Sequence, residues 1–184
     1  TWGFVIYRCT YDSDADWEEF MRQLHILFQD VLSVYNGLDM VDSLAQTVFN
    51  DKPIFDHATS SAIRQHLKQW AAAAPQQEQG TGPGLFQRYK YCIQVGKQAL
   101  ESVLNGGPPE SSTGFVNIIR KDWEPNLDPE EQEPEEELIE GCTQHNAGWM
   151  TVSFPNVGVV IYHMFRGEHQ WRYEYRRPPQ LAPA

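Results

Sequence analysis

Gly3-Phe4-Val5-Ile6-Tyr7-Arg8-Cys9-Thr10-Tyr11, followed by Asp12-Ser13-Asp14-Ala15-Asp16 and a long amphipathic run, is the stretch on which the fold turns. Nine residues rich in β-branched and aromatic side chains, with glycine only at the start and no proline, predict a strand. The short polar side chains after Tyr11 can accept hydrogen bonds from the free amides of a helix start. Ser13 with Asp16 three residues on reads as a shortened capping box. Beyond them Trp17, Phe20, Met21, Leu24, Leu27, Phe28, Val31, Leu32 and Tyr35 recur at spacings of three and four. That is one apolar face of a helix about five turns long. Asn36-Gly37 supplies its left-handed stop.

Working outward, residues 43–51 predict a second strand, ended by Asp51-Lys52-Pro53. A second helix follows from about Thr59, with Ile63, His66, Leu67, Trp70 and Ala74 on its apolar side and Arg64, Lys68 and Gln69 turned away. Residues 75–84 are rich in Gln, Gly and Pro and are expected to form a flexible link. Residues 88–95, 114–120 and 149–154 predict strands, 97–104 a helix, and 157–165 a last helix or a further strand. The glycine at 96 stands alone, without a nucleotide fingerprint. This order predicts an α+β fold: a ferredoxin-like αβ sandwich, its sheet mainly antiparallel, with helices on one face. The expected organisation is one domain over 1–184, built of two related halves, 1–74 and 85–179, and carrying an acidic insertion at 124–140.

The chain has 184 residues, 41% of them hydrophobic, enough to bury a sizeable core. No run of eighteen apolar residues occurs, so no membrane span is expected. Cys9, Cys92 and Cys142 are widely spaced and fit neither a metal pattern nor a disulfide framework, and Cys9 and Cys92 read as buried hydrophobes. With no Asn-x-Ser/Thr sequon, an intracellular home, cytoplasmic or nuclear, is the expectation. Nine acidic and no basic residues lie between Glu124 and Glu140, so the net charge of −11 falls to −2 outside that stretch. The stretch, with three prolines, reads as a solvated insertion and lacks the spacing of a calcium loop.

Two function classes follow. Period-two alternation places Arg8, Lys90, Gln94, Asn117 and Thr151, with Trp149 beside them, on the sheet face that the helices leave open; these are the ligand-binding candidates. They suit a non-catalytic module that binds a small molecule or a protein, and an open face also admits a homodimer. The Arg166, Arg172, Arg176 and Arg177 cluster, with Trp171, Tyr173 and Tyr175, reads as a tail that docks on the chain's own acidic surface or on a partner. Nucleic acid is not expected, because a basic face with interleaved aromatics is missing. The second class is a cofactor-independent isomerase, cyclase or hydrolase with a pocket on the same face. Tyr7, Arg8, His145 and His163 are its catalytic candidates. No Gly-x-Ser-x-Gly elbow and no helical His pair occurs, so neither a metal nor a cofactor is expected.

Several of these stretches together resemble a group of uncharacterised proteins from filamentous fungi. They are the Trp2-Gly3-Phe4-Val5-Ile6-Tyr7-Arg8-Cys9-Thr10-Tyr11 start, the Trp17 helix, Asp51-Lys52 leading into the Trp70 helix, Gly148-Trp149-Met150, and the closing Tyr175-Arg176-Arg177-Pro178-Pro179. The likeness spans nearly the whole chain. It implies a fungal source and lends no activity or catalytic residue.

Overall fold

The first strand and helix form where local chemistry dictates. A computed structural model describes residues 1–84, 86–106, 114–126, 128, 134–167 and 169–182. In it β1 spans Val5–Arg8 and α1 spans Asp14–Val34. The Ser13 hydroxyl accepts the Asp16 amide N–H at 3.1 Å, as a helix N-cap should. At the other end Asn36 takes a left-handed φ of 54°, and the Gly37 N–H donates to the Leu32 carbonyl at 2.8 Å. The apolar stripe buries Trp17, Phe20, Leu24, Leu27, Phe28 and Leu32, and side chains of this kind contribute roughly 1.5–3 kcal/mol each. Tyr35, expected on that stripe, is exposed.

The remaining elements are β2 (Val48–Phe49), α2 (Lys52–Phe55), α3 (Ser60–Gln79), β3 (Tyr91–Val95), α4 (Lys97–Asn105), β4 (Phe115–Arg120), β5 (Trp149–Ser153), α5 (Val159–Met164), α6 (Gln170–Glu174) and β6 (Leu181–Ala182). One six-stranded sheet runs in the order β2-β1-β3-β4-β5-β6. β1 is parallel to both β2 and β3, β4 is antiparallel to β3 and β5, and β6 is parallel to β5. The fold is therefore α+β with a mixed sheet, which departs from the mainly antiparallel, ferredoxin-like expectation. The cause lies in the connections: α1 and α3 are long crossovers, which return the chain parallel.

Helices also occupy both faces, which corrects the expectation of one covered and one open face. The step from β1 to β2 and the step from β2 across β1 to β3 run in opposite directions. Right-handed crossovers of opposite direction leave their helices on opposite faces. Accordingly α1, α4, α5 and α6 bury Phe4, Ile6, Ile93, Ile118 and Met150 on one side. On the other, α2 and α3 bury Val5, Tyr7, Cys92 and Ile119.

Three further expectations shift. β2 is only two residues long, and the connection after it holds the short helix α2. α3 continues through a buried Pro75 to a left-handed cap at Gly80, so the first half of the expected link 75–84 is helical. Its last turn is pinned because Glu78 accepts two hydrogen bonds from Arg88, at 2.8 and 2.9 Å, and one from the Tyr89 hydroxyl at 2.8 Å. The two halves share the one sheet, β3 lying directly beside β1. Cys9 and Cys92 are buried free thiols, and burial pushes Cys9 up to about 12 and Cys92 well upward. Of the acidic stretch, residues 127 and 129–133 lie outside the described residues. Among the described residues no helix is long and apolar enough to cross a membrane.

Candidate functional site

Between the end of β4 and the start of β5, residues 136–148 form a strap that crosses the first turns of α3. Its turn is local: Ile139 and Cys142 exchange backbone hydrogen bonds at 3.0 and 2.8 Å, while Glu140 and Gly141 take φ of 46° and 83°. Its anchorage is distant. Arg177, 7% exposed, donates to the carbonyls of Glu137 at 2.6 Å, Cys142 at 3.0 Å and His145 at 3.1 Å, and also to Gln144. Its Nε lies 3.1 Å from Glu136 Oε2, and His145 Nδ1 lies 2.6 Å from Glu136 Oε1. The Tyr175 hydroxyl donates to the His145 carbonyl and accepts from the Ala147 N–H, both at 2.9 Å. Burial pushes the Tyr175 phenol upward. Of the aromatic-basic cluster, Tyr175 and Arg177 thus hold the strap, and Arg177 reaches the end of the acidic stretch at Glu136 and Glu137.

Strap and helix enclose a half-open cavity of about 270 Å³. Ser60, Ser61 and Arg64 come from α3, Trp149 from the start of β5, Trp123 from the segment after β4, and Glu140, Cys142 and Gln144 from the strap. Arg64 is the chemically distinctive group. It is 6% exposed, its Nε donates to the Arg120 carbonyl at 3.1 Å, and Nη2 donates to the Ala147 carbonyl at 3.3 Å. The guanidinium lies over the Trp123 ring, 4.6 Å from its centroid. Desolvation pushes its pKa down, against the pull of the Cys92, Glu140 and Cys142 acids. Among the described residues no carboxylate forms an ion pair with it. Gly148, at φ +76°, lets the strap close over it: a Cβ there would stand 2.6 Å from Arg64 Nη2 and inside the Trp123 ring contact.

Glu140 stands at the rim of the same cavity. Its Oε2 accepts the Ser60 N–H at 2.9 Å, at the start of α3, and its other oxygen has no partner among the described residues. A desolvated guanidinium with N–H groups to spare is a strong receptor for a planar carboxylate or a phosphate, because charge-assisted bonds gain strength where water is scarce.

The candidates from the sequence scatter around this cavity. Trp149 lines it. Gln94, Asn117 and Thr151 form a hydrogen-bonded row across β3, β4 and β5 on the α3 side. Gln94 donates to the Ala58 carbonyl at 2.7 Å, Asn117 to Gln94 at 3.3 Å and Thr151 to Asn117 at 3.4 Å. Arg8 is on the other face, bonded to the Thr10 carbonyl at 2.9 Å and Asp14 at 2.6 Å and placed over the Tyr11 and Trp17 rings. Lys90 sits just before β3, its carbonyl accepting the Lys121 N–H. Tyr7 is buried under α3, its hydroxyl 2.8 Å from His66 Nδ1 and its phenol pushed upward by burial. His145 is exposed on the strap and His163 is exposed on α5. Tyr7, Arg8, His145 and His163 therefore occupy separate parts of the molecule.

Arg64, Glu140 and Trp123 escaped the sequence reading. A charged side chain was assigned to the solvent side of its helix, yet Ser60, Ile63, Arg64 and Leu67 repeat at three, one and three and are all buried. That spacing was the available signal for Arg64. Glu140 carried no periodic signal inside the acidic stretch. Among the described residues no three His, Cys, Asp or Glu side chains are grouped to hold a metal ion. No family model matches the chain, and no curated protein or solved structure matches it.

Proposed function

We propose that this chain is a non-catalytic, intracellular small-ligand-binding module of the fungal type its sequence resembles, and that its ligand is a small anion held by Arg64. One observation carries the reading: Arg64 is buried on an accessible cavity with two carbonyl partners and, among the described residues, no carboxylate in an ion pair with it. A buried cation without an ion-paired carboxylate costs the fold free energy, and an anion entering from solvent offsets that cost. The alternative of a cofactor-independent enzyme asks for titratable groups converging on one pocket. Tyr7, Arg8, His145 and His163 are apart, so the binding reading is the better supported.

A titration of 3-phenylpropionate followed by tryptophan fluorescence tests it, since Trp123 and Trp149 line the cavity. Saturable quenching or enhancement is expected, lost in Arg64→Met and in Ser61→Trp, which fills the cavity from an exposed helix position. An unchanged spectrum in the folded wild type, or equal binding in all three proteins, contradicts the reading. A second reading rests on Val34, Tyr35, Leu38 and Met40, 80%, 71%, 56% and 45% exposed at the end of α1 and the turn after it. Such an apolar patch suits a protein partner or a second copy. Native mass spectrometry of protein from its own source separates the two, a dimer or co-purifying chain favouring the patch and a small retained mass favouring the cavity.

A further inference from the structure

The cavity is bipolar. Arg64 contributes a cation to its lining and Glu140 an anion, and the two form no ion pair with each other. They are nonetheless near neighbours by construction. Helical side chains lean toward the N-terminus, so Arg64 leans back over the turn that begins at Ser60. The Ser60 N–H is the group that Glu140 bonds at 2.9 Å. That bond uses one carboxylate oxygen and leaves the other. On Arg64, Nε and one Nη2 hydrogen serve carbonyls, leaving the Nη1 pair and the second Nη2 hydrogen without a partner among the described residues.

Resting on the reading of Arg64 as an anion receptor, we infer that the ligand is a zwitterion of amino-acid type, its carboxylate on Arg64, its ammonium on Glu140 and an apolar side chain against Trp149, Ile139 and Pro125. The charge pattern selects against the alternatives. A dianion such as phosphate meets repulsion from Glu140, and a simple amine meets repulsion from Arg64, whereas a zwitterion satisfies both ends. The apolar lining adds a place for a hydrophobic or aromatic side chain.

Three probes of one shape separate the contributions: phenylalanine, 3-phenylpropionate, which lacks the amine, and 2-phenylethylamine, which lacks the carboxylate. Calorimetric titration of the full chain is expected to give phenylalanine an affinity about tenfold or more above 3-phenylpropionate, with 2-phenylethylamine weakest. Glu140→Gln keeps an acceptor for the Ser60 N–H and removes the charge. It is expected to bring phenylalanine level with 3-phenylpropionate without weakening the latter. If 3-phenylpropionate binds the wild type as tightly as phenylalanine, or if the preference survives Glu140→Gln, the zwitterion inference is overturned and the anion reading stands. If neither acid binds the folded wild type, both fall.

Discussion

Arg88 and Arg64 are both withdrawn from water, and they are treated differently. Arg88, 0% exposed, is fully partnered: both Glu78 oxygens at 2.8 and 2.9 Å, the Ala45 carbonyl at 2.9 Å, the Gly3 carbonyl at 3.3 Å and the Thr47 hydroxyl. It stitches the start of β1, the segment before β2 and the last turn of α3. Arg64 has two carbonyls, a tryptophan face and an accessible cavity. A cation whose partners are all internal serves the fold, whereas one left open toward solvent is a position where the fold sacrifices stability.

Replacing each arginine by methionine sharpens that contrast most. Arg88→Met leaves Glu78 without its cation and is expected to cost about 3–5 kcal/mol in urea unfolding. Arg64→Met is expected to change stability by about 1 kcal/mol or less, since a desolvated charge leaves together with its two hydrogen bonds. Equal losses would erase the distinction.

Next in size is Arg177→Ala. It removes a donor from the carbonyls of Glu137, Cys142, Gln144 and His145 at once, and a loss of about 2–3 kcal/mol is expected. Limited proteolysis should then cut within 134–145 while the sheet survives, and ligand affinity should fall with the loosened wall. An uncut strap would mean that Tyr175 and the local turn hold it unaided. Gly148→Ala should cost about 1–2 kcal/mol, through its positive φ and the displaced Arg64–Trp123 contact, and should weaken binding more than it weakens the fold. The smallest effect is a pH dependence. Burial holds His66 below its ordinary value of about 6.5, so just under that pH the unfolded chain binds a proton that the folded chain refuses. Stability should therefore fall as the pH drops below about 6.5, and His66→Asn should flatten this slope in thermal melts taken across the range.

The parts legible in the sequence are those whose cause is local. The β1 run, the Ser13 cap, the α1 stripe and the Asn36-Gly37 stop each depend on residues within a turn or two. Strand partners depend on the crossovers, and the short β2 gave no hint that two long helical connections leave it in a parallel group. Composition misled twice. The acidic stretch reads as solvated, yet part of it is bound through carbonyl groups by an arginine some forty positions away, and carbonyls have no signature in side-chain composition. Charge assigned Arg64 to solvent although its spacing with Ser60 and Leu67 lay on the buried stripe. Trp149 could be placed on a sheet face because strands are counted in twos, but Trp123, Glu140, Cys142 and Gln144, its neighbours in the cavity, come from loop segments, which have no period to count.

Arginine side-chain NMR tests the central claim at the atom that carries it. The Arg64 guanidinium signals can be identified by their loss in Arg64→Lys and followed as 3-phenylpropionate is added to the wild type. A saturable shift of the Arg64 Nη–H resonances, with those of Arg88 unmoved, is the result predicted here. Arg64 resonances that stay fixed while ligand saturates elsewhere, or that move no more than those of Arg88, would contradict it.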